Sequence, residues 1–514
     1  MKILKGKEVM ELINHCNFSS GWDKLVKECP WSTVFQKREF IATWYAKFND
    51  QTPFMITDWN GESMTGLFTL VEENGKLSYP GNNLAEYQVW LSSSENNDKF
   101  IKEALDAIRK DYSLHLKYIP SKTPLEWLNS NGKLKNSIFL KAYSQPIMQC
   151  DEVFLEKELK KKNKKEKINR LKRQGKLSFE RVTSSKEFRA ILPNLIEQNE
   201  FRKGAIYGKL AFLEDPRRID FLSKAFEHNL LHASILKLDE EIIASNVGFI
   251  SNDTVHLQGL NTHSPFYSKF SPGILHFLML GIYLSKENYN FFDLTPGGID
   301  GYKSKLATSY STTHEILMDS VFTTKKNQVK DALKTTAKTL IGNNTKKASQ
   351  LSKLFTSPIK KNTTENNSEE NANIQLIIKG NQINLTSNEP ELEGETSSIT
   401  YQKNSIADLL SFPLNNEKTE FLSDALYRIE NGQTFYAIKG GDHLIGTIWY
   451  IPRGTKEPDG HKRSQDYMEF SYLTLHLRNN WNVVRLIIKE QELPESLSLF
   501  ANLIPSKSSL DHQS

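Results

Sequence analysis

Runs of apolar residues, read for their spacing, divide the chain into stretches that alternate between strand and helix patterns. In the first stretch, alternating runs separated by turns such as Asn-Gly predict strands over 53–59, 63–73 and 76–81 and helices around 31–48 and 99–111. In the second stretch, the same criteria predict strands near 177–182 and over 231–238, 241–250 and 254–260, with helices over 186–199 and 210–229. The second stretch is therefore expected to form an antiparallel meander, followed by a helix and one more strand.

A long polar segment separates these two stretches from a third one. Residues 323–355 are lysine-rich and predicted to be helical in part, whereas residues 360–373 are too polar to bury a core and predict a flexible linker. Beyond them, the runs TFYAIKG and LIGTIWYIP predict further strands. We therefore expect four parts, with α/β units in the first, second and fourth: 1–150, 151–320, 321–371 and 372–514.

The most informative local pattern is a Ser-Pro-Gly turn at the start of an apolar helix, followed by a short aromatic strand. Pro272 suits the first helical turn because it lacks the N–H that would have no partner there, and Gly273 lets a ligand approach the backbone. Free N–H groups and the helix dipole favour an anion at such a helix start, and phosphate is the common biological choice. The alternative is an ordinary helix start with Ser271 as side-chain N-cap.

Composition narrows the class of protein. The chain has 514 residues, of which 38% are hydrophobic, and this length indicates several cores; its formal net charge is only +5. This small excess reflects local clusters and does not indicate a surface built to bind DNA. The three cysteines lack metal-ligand spacing, so they favour a reducing compartment and indicate neither a disulfide framework nor a metal site.

The sequence predicts no membrane-spanning helix and no secretory signal. The longest apolar run, residues 273–284, is shorter than the roughly 20 residues needed to cross a bilayer, and the first residues lack a continuous apolar core and a cleavage site. We therefore expect a cytoplasmic protein, which could act at the inner face of the membrane.

Four motifs in the second stretch occur in a recognisable order: INRLKRQGKL, ILKLDEEIIASNVGFI, LNTHSPFYSKFSPGILHFLMLGIYL and FFDLTPGGIDGYKSKLA. Together they resemble the Gcn5-related N-acetyltransferase (GNAT) superfamily, in particular the CelD/BcsL-type acetyltransferases associated with cellulose and other envelope polysaccharides. The resemblance covers about residues 156–320, and YPGNNLAEYQVWL looks like the family's N-terminal half. It extends to Fem-like aminoacyltransferases, which have two such domains in tandem and take aminoacyl-tRNA as donor.

The resemblance implies a fold and a donor. The fold is α/β, with two GNAT-like domains in tandem whose mixed, largely antiparallel sheets are flanked by helices, and with a further α/β domain at residues 372–514 that could also be GNAT-like. The donor is acetyl-CoA or another acyl-CoA, without a metal. Its pyrophosphate would bind the turn of Ser271, Pro272, Gly273 and Ile274, and its pantetheine arm would lie between two splayed strands.

Candidate catalytic residues follow the aromatic strand. Asp293 precedes a Thr-Pro-Gly-Gly turn, where its carboxylate could be a general base or orient the acceptor; capping that turn is the alternative. Tyr302 could protonate a leaving thiolate and Lys303 could hold a phosphate or polarise a carbonyl, with packing and surface solvation as the alternatives. His256 is another candidate base, although a lone histidine is usually structural. We assign catalysis to Asp293, His256 and Tyr302, and donor binding to Lys303 together with the turn.

Candidate acceptor-binding residues come from both stretches. A period of two places Gln258 on the same strand face as the candidate histidine, with Asn261 further along the strand. The resemblance implies that Glu86 and Tyr87, an acidic-aromatic pair, reach across an inter-domain cleft to the acceptor. Arg202 could bind an anionic substrate or form a surface ion pair.

These observations predict an acyl-CoA-dependent N- or O-acyltransferase that acts on a bacterial cell-envelope polysaccharide precursor or an amino sugar. Its partners would be a small-molecule or glycan acceptor and other envelope biosynthesis proteins. One alternative is a Fem-like transferase, for which the basic run 157–176 would bind tRNA; a solvated helix face is the other explanation of that run. Another alternative is a non-catalytic binding protein of an envelope assembly.

Overall fold

The computed structural model describes residues 1–130, 132–298, 301–319, 376–379, 382–383, 399–412, 418–440, 443–455, 467–473 and 498–503. Its strands are β1 (Lys2–Lys5), β2 (Thr52–Asn60), β3 (Ser63–Glu73), β4 (Lys76–Ser78), β5 (Leu91–Ser92), β6 (Ser113–Ile119), β7 (Ile138–Gln149), β8 (Leu177–Val182), β9 (Leu231–Leu238), β10 (Glu241–Ser251), β11 (Thr254–His263), β12 (Phe291–Asp293), β13 (Ser309–Met318), β14 (Leu376–Lys379), β15 (Gln382–Ile383), β16 (Ile399–Lys403), β17 (Thr434–Gly440), β18 (His443–Ile451), β19 (Tyr467–Leu473) and β20 (Ser498–Leu503). Its helices are α1 (Lys7–Leu12), α2 (Cys16–Glu28), α3 (Arg38–Lys47), α4 (Asn97–Ile108), α5 (Trp127–Ser130), α6 (Gly132–Ser137), α7 (Glu152–Lys160), α8 (Lys162–Lys172), α9 (Ser185–Tyr207), α10 (Ala211–Glu214), α11 (Arg217–Glu227), α12 (Pro272–Lys286), α13 (Tyr302–Leu306), α14 (Ile406–Leu410) and α15 (Lys418–Glu430).

The predicted α/β class is confirmed, with a large mixed sheet flanked by helices. The segment predicted as helical over 210–229 contains two helices, α10 and α11, because Pro216 disfavours helical backbone at the residue before it, and Asp215 there has φ −139° and ψ 89°, outside the helical region. The predictions for residues 323–355 and 360–373 lie outside the described residues. None of the helices in the described part combines the length and apolar character needed to cross a bilayer.

Thirteen of the described strands form one continuous sheet. Its order is β1-β2-β3-β4-β6-β13-β7-β12-β11-β10-β9-β8, with β5 paired to β3. Most neighbours are antiparallel, and the pairs β4–β6 and β11–β12 are parallel. The sheet therefore extends without interruption across the predicted boundary at residue 150, and the division of the chain into domains stays a prediction.

The two halves of this sheet exchange strands at its centre. β7, which precedes residue 150 in the chain, pairs with β12 of the second stretch. β13, which comes last in the second stretch, lies between β6 and β7, with ten residue pairs from Ser309 to Met318 along β7. The strand from the second stretch, β13, is thus inserted between two strands of the first stretch, and β7 of the first stretch borders β12 of the second.

Aromatic side chains from both halves share one core. Phe40 of α3 meets Phe221 of α11 at a ring-centroid distance of 5.2 Å, and Phe249 of β10 lies 5.4 Å from Phe40 and 5.2 Å from Phe35. All four side chains are fully buried. Such pairs each add about 0.5–1.5 kcal/mol beyond the burial of their area, so this cluster fixes the position of one half relative to the other.

α12 packs closely on α7 and β7 because its middle residue is a glycine. A Cβ built on Gly281 would lie 2.6 Å from Leu155 Cδ1 and 2.7 Å from Met148 Cε. The helix is apolar around most of its circumference, and its buried residues include Leu278 and Leu284. Close packing on several sides positions the start of α12 at the candidate site.

A β-bulge distorts the pairing of β10 with β11. Gly248 is opposite Gly259, but Ile250 is opposite Val255, so β11 has extra residues at this point. Gly259 has φ +130°, and a Cβ on it would lie 2.2 Å from the Val247 carbonyl oxygen. Bulges re-aim side chains and are common beside active sites, so this one is expected to shape the edge of β11 that faces the candidate cleft.

Replacing Gly259 by alanine is expected to lower the free energy of unfolding by about 1–3 kcal/mol, because the backbone conformation is strained for an L residue and the methyl group meets a backbone oxygen. Urea denaturation would measure the change. Gly132→Ala is the matched control, since nothing lies within 4 Å of its added Cβ. Equal stability of the two variants would show that the bulge tolerates a side chain.

A second sheet contains seven strands among the described residues of the C-terminal part, in the order β15-β14-β20-β19-β18-β17-β16. Its helices α14 and α15 cover one face, and Phe421 and Leu422 of α15 share a core with Phe201 and Ala205 of α9. The C-terminal unit is therefore packed onto the helix that leads into the second half of the large sheet.

Candidate active site

β12 is a short strand that ends beside β11 at the centre of the large sheet. Their parallel pairing joins Thr254 to Phe291, Val255 to Phe292 and His256 to Asp293. Beyond this point β12 ends, whereas β11 continues to His263. The part of β11 beyond His256 is therefore not paired with β12, and the chain then turns back through residues 264–271 into α12.

The turn before α12 is held by a lysine from the basic segment. Ser271 has φ +54°, in the left-handed region, and its side chain makes no capping hydrogen bond to α12. Its hydroxyl oxygen instead accepts a hydrogen bond from Lys167 Nζ of α8 at 2.7 Å. The structure thus differs from the alternative in which Ser271 is a side-chain N-cap, and it places a cation at the helix start.

A cleft of about 360 Å³ opens at this turn. Six of the residues proposed from the sequence line it: Arg202, Asn261, Ser271, Gly273, Ile274 and Tyr302. Space beside Gly273 is tight, because a Cβ there would lie 3.3 Å from His263 Nδ1. Pro272 is the first residue of α12 and is buried beside the cleft.

One wall of the cleft carries a charged triad. The Arg202 guanidinium donates a hydrogen bond to His263 Nε2 at 2.8 Å and lies 3.8 Å from Glu430 Oε1 of α15. Burial and the neighbouring Arg202 charge lower the pKa of His263 to about 3, so this imidazole is a neutral acceptor. Arg202 is therefore positioned by a histidine and balanced by a carboxylate.

Asp293 lies at the centre of a buried hydrogen-bond network where the two halves meet. It is 1% exposed. Its Oδ2 accepts hydrogen bonds from the Tyr87 hydroxyl at 2.5 Å and from Gln145 Nε2 at 3.1 Å, and it lies 2.9 Å from His256 Nδ1. Its Oδ1 accepts the Thr295 amide at 2.9 Å, so Asp293 also caps the following turn.

The network determines the ionisation of Asp293 and the tautomer of His256. Burial raises the pKa of Asp293, but the hydrogen bonds that it accepts, first of all from His256, outweigh burial and hold the pKa below its ordinary value. The ionised Asp293 carboxylate can only accept, so His256 Nδ1 carries a proton and donates it to Oδ2; His256 Nε2 lies 2.8 Å from Ser251 Oγ, which also accepts the Val34 amide. Both ring nitrogens of His256 are thus engaged, and its side chain is 5% exposed.

Glu86 lies next to this network and has a different character. It is 3% exposed, and its closest cationic neighbour is Lys117, whose Nζ lies 4.0 Å from Oε2. Burial raises the pKa of Glu86 to about 7, and the Lys117 charge limits the rise. A carboxylate with this pKa is close to half ionised at neutral pH, as a general base requires.

Lys303 holds a strained loop. Its ammonium donates to the Thr295 carbonyl at 3.0 Å, to Thr295 Oγ1 at 2.9 Å and to the Gly297 carbonyl at 3.1 Å. Thr295 has φ +64°, which is rare for a β-branched residue. Strain of this kind persists where the surroundings fix the backbone, and it clusters at functional sites.

The sequence of residues 159–304 matches the family model described as an acetyltransferase (GNAT) domain. The chain carries a GNAT-type acetyltransferase domain. Its class of activity is acyl transfer. No curated protein matches the chain.

Several solved structures resemble the chain at low identity. L-PGS from Bacillus licheniformis is 12% identical, over 61% of this chain and 95% of that one, with a TM-score of 0.39. FemX is 10% identical, over 62% and 97%, with a TM-score of 0.41. A GCN5-related N-acetyltransferase from Kribbella flavida is 13% identical, over 52% and 89%, with a TM-score of 0.29.

The structure divides the residues proposed from the sequence into two groups around the GNAT domain. The first group lines the cleft at the start of α12. The second group lies in or beside the buried network and consists of Glu86, Tyr87, His256, Asp293 and Lys303. The side chain of Gln258 lies outside what the structure describes. The catalytic and binding roles of these residues stay predictions.

Some neighbours of the site carry no signal in the local sequence. Gln145, Ser251 and Glu430 reach it from β7, from the end of β10 and from the C-terminal unit.

Tyr302 is 37% exposed and stacks on Phe277 of α12, with ring centroids 5.9 Å apart. Its hydroxyl group is therefore on an accessible side chain at the cleft of the GNAT domain. The described residues contain no group of histidine, cysteine and carboxylate side chains placed to hold a metal ion.

Proposed function

We propose that this protein transfers an acyl group from acyl-CoA to an amine or hydroxyl group of a cell-envelope polysaccharide precursor or amino sugar. The observation that carries the proposal is the cleft between the end of β11 and the start of α12. A helix start favours anions, and Lys167 and Arg202 add positive charge on either side of it. Phosphates of the donor bind at the turn, and its pantetheine arm lies along the free edge of β11.

The base is proposed from its pKa and the acid from its accessibility. Glu86 accepts the proton of the attacking amine or hydroxyl, because its pKa of about 7 suits a general base. Tyr302, which lines the cleft, donates a proton to the thiolate as the thioester C–S bond breaks. Asp293 and His256 position Tyr87, and with it the neighbouring Glu86, through the buried network. Most of the acceleration comes from holding donor and acceptor together.

The basic helices support a second candidate, an aminoacyl-tRNA-dependent transferase. Residues 157–176 contain eleven lysine or arginine and two glutamate residues. Several cations are paired with carboxylates, for example Lys160 with Glu156 and Arg170 with Glu166. The remaining excess of positive charge on α7 and α8 suits a polyanion, whose binding would weaken steeply with salt.

Calorimetric titration with acetyl-CoA tests the proposal. Wild-type protein is expected to bind, Gly273→Ala to bind slightly more weakly, and Gly273→Asp to lose binding because it adds charge as well as bulk at the helix start. Lys167→Ala should weaken binding by about three- to tenfold, an effect that shrinks as salt rises. Lys186→Ala, an exposed lysine of α9, is the matched control.

The opposite results separate the alternatives. Equal affinity of Gly273→Asp and wild type for acetyl-CoA would show that the donor phosphates do not bind at this turn. Binding of tRNA without binding of acetyl-CoA, with a steep salt dependence, would establish the aminoacyl-tRNA donor. Binding of neither ligand would favour a non-catalytic envelope protein.

A further inference from the structure

The C-terminal unit forms part of the wall of the donor cleft. Leu422 of α15 fills the space beside Gly204 of α9, where a Cβ would lie 2.8 Å from Leu422 Cδ1. Phe266, in the turn that precedes α12, packs against the core that α15 shares with α9. α15 therefore contacts two of the segments that line the cleft.

The last residue of α15 extends this contact to the polar lining. Glu430 Oε1 accepts a hydrogen bond from Ser268 Oγ at 3.0 Å and lies 3.8 Å from Arg202 Nη1. The same Arg202 nitrogen donates to His263 Nε2. An anion that approaches Arg202 must therefore compete with a carboxylate that belongs to another unit of the protein.

We propose that Glu430 sets the donor affinity of the cleft: it holds the Arg202 guanidinium and thereby weakens the attraction of the cleft for an anionic donor. The inference rests on the proposed function, because it takes the cleft to be the donor site. The Arg202–Glu430 pair is partly exposed, so the competition changes donor affinity by a few fold and does not block the site. The role of the C-terminal unit is then to adjust how tightly a donor is held.

Titration of full-length variants with acetyl-CoA tests this role. Glu430→Gln should tighten binding by about two- to fivefold at low salt, with the gain disappearing at high salt. Arg202→Gln should weaken binding, and the double variant should equal Arg202→Gln, because Glu430 acts through Arg202. Ser268→Ala should give part of the gain by releasing Glu430. Glu420→Gln, an exposed glutamate on the same helix, controls for net charge and should equal wild type.

Each contrary result overturns a defined part of the argument. If wild type binds acetyl-CoA and Glu430→Gln binds equally or more weakly, this inference is wrong and the proposed function stands. If the gain persists in the Arg202→Gln background, Glu430 repels the donor directly and the assigned route through Arg202 is wrong. If no variant binds acetyl-CoA, the proposed donor and this inference fall together.

Discussion

Replacing Glu86 by glutamine is expected to lower kcat by about two to four orders of magnitude and to leave the donor KM unchanged. Glutamine keeps the shape of the side chain but cannot take the proton of the acceptor. Since the pKa of Glu86 is about 7, the wild-type kcat should rise as pH increases through that value, and this limb should be missing in the variant. Initial rates with acetyl-CoA and glucosamine, from about pH 5.5 to 9, would measure both effects.

The control is Glu62→Gln, an exposed glutamate in the turn between β2 and β3, which should behave as wild type. Calorimetric binding of acetyl-CoA to Glu86→Gln should also be unchanged, which would separate a loss of proton transfer from a loss of the donor site. A wild-type rate and pH profile in Glu86→Gln would exclude Glu86 as the general base.

Glu86→Gln is expected to lower activity but to raise the free energy of unfolding at alkaline pH. The folded pKa of Glu86 is raised from the ordinary 4.5 to about 7, so its favourable contribution is complete below pH 4.5 and is lost as pH rises through 7. At pH 8 the buried carboxylate is ionised and costs on the order of 3 kcal/mol, a cost that Glu86→Gln removes. Urea denaturation at pH 8 should therefore show a more stable but less active protein, as expected for a carboxylate kept for catalysis.

Replacing Asp293 by alanine is expected to destabilise the protein by about 3–5 kcal/mol, because each buried polar group left without a partner costs about 1–3 kcal/mol. The Tyr87 hydroxyl, Gln145 Nε2 and the His256 ring all lose their common partner. The pKa of Asp293 is lower in the folded protein than in the unfolded chain. Its contribution to the free energy of unfolding is therefore present above the unfolded-state pKa and is lost as the pH falls through the folded-state pKa. The difference between wild type and variant should therefore shrink in acid.

The midpoint of urea denaturation, measured at pH 7 and again at about pH 3, would check this expectation. Asp111→Ala, an exposed aspartate after α4, is the control and should change stability little. Tyr87→Phe removes a single hydroxyl and should cost less than Asp293→Ala, about 1–3 kcal/mol. A cost for Asp293→Ala no larger than that of the control would show that the network does not join the two halves.

Local pattern was enough to predict most elements and the position of the turn before α12. The alternation in 231–238 and 241–250 and the Ser-Pro-Gly start of α12 depend on neighbouring residues, so the sequence contains them directly. The acidic-aromatic pair Glu86 and Tyr87 needed the family resemblance to be noticed. Its contact with Asp293 joins residues 206 positions apart, and no local spacing encodes such a contact.

Other parts of the site depend on tertiary structure that the sequence pattern does not contain. The Lys303 ammonium donates hydrogen bonds to Thr295 and Gly297 in the loop that follows β12, and its position in the sequence does not encode these contacts. Its role in donor binding stays a prediction. Glu430 lies in a separate unit, beyond a long polar segment, and its approach to Arg202 results from the packing of α15 on α9. The pKa of Glu86 results from burial, which cannot be known before the fold is.

The exchange of β7 and β13 has a consequence for folding during synthesis. When the ribosome has made the first 150 residues, the place between β6 and β7 is still empty, because the strand that fills it lies at 309–318. Two strand edges stay open until more than 150 further residues have emerged, and open edges promote pairing with other chains. Closing the sheet requires contacts of long sequence separation, which form slowly. The protein is therefore expected to depend on chaperones early in its life, and its two halves mature together as one unit.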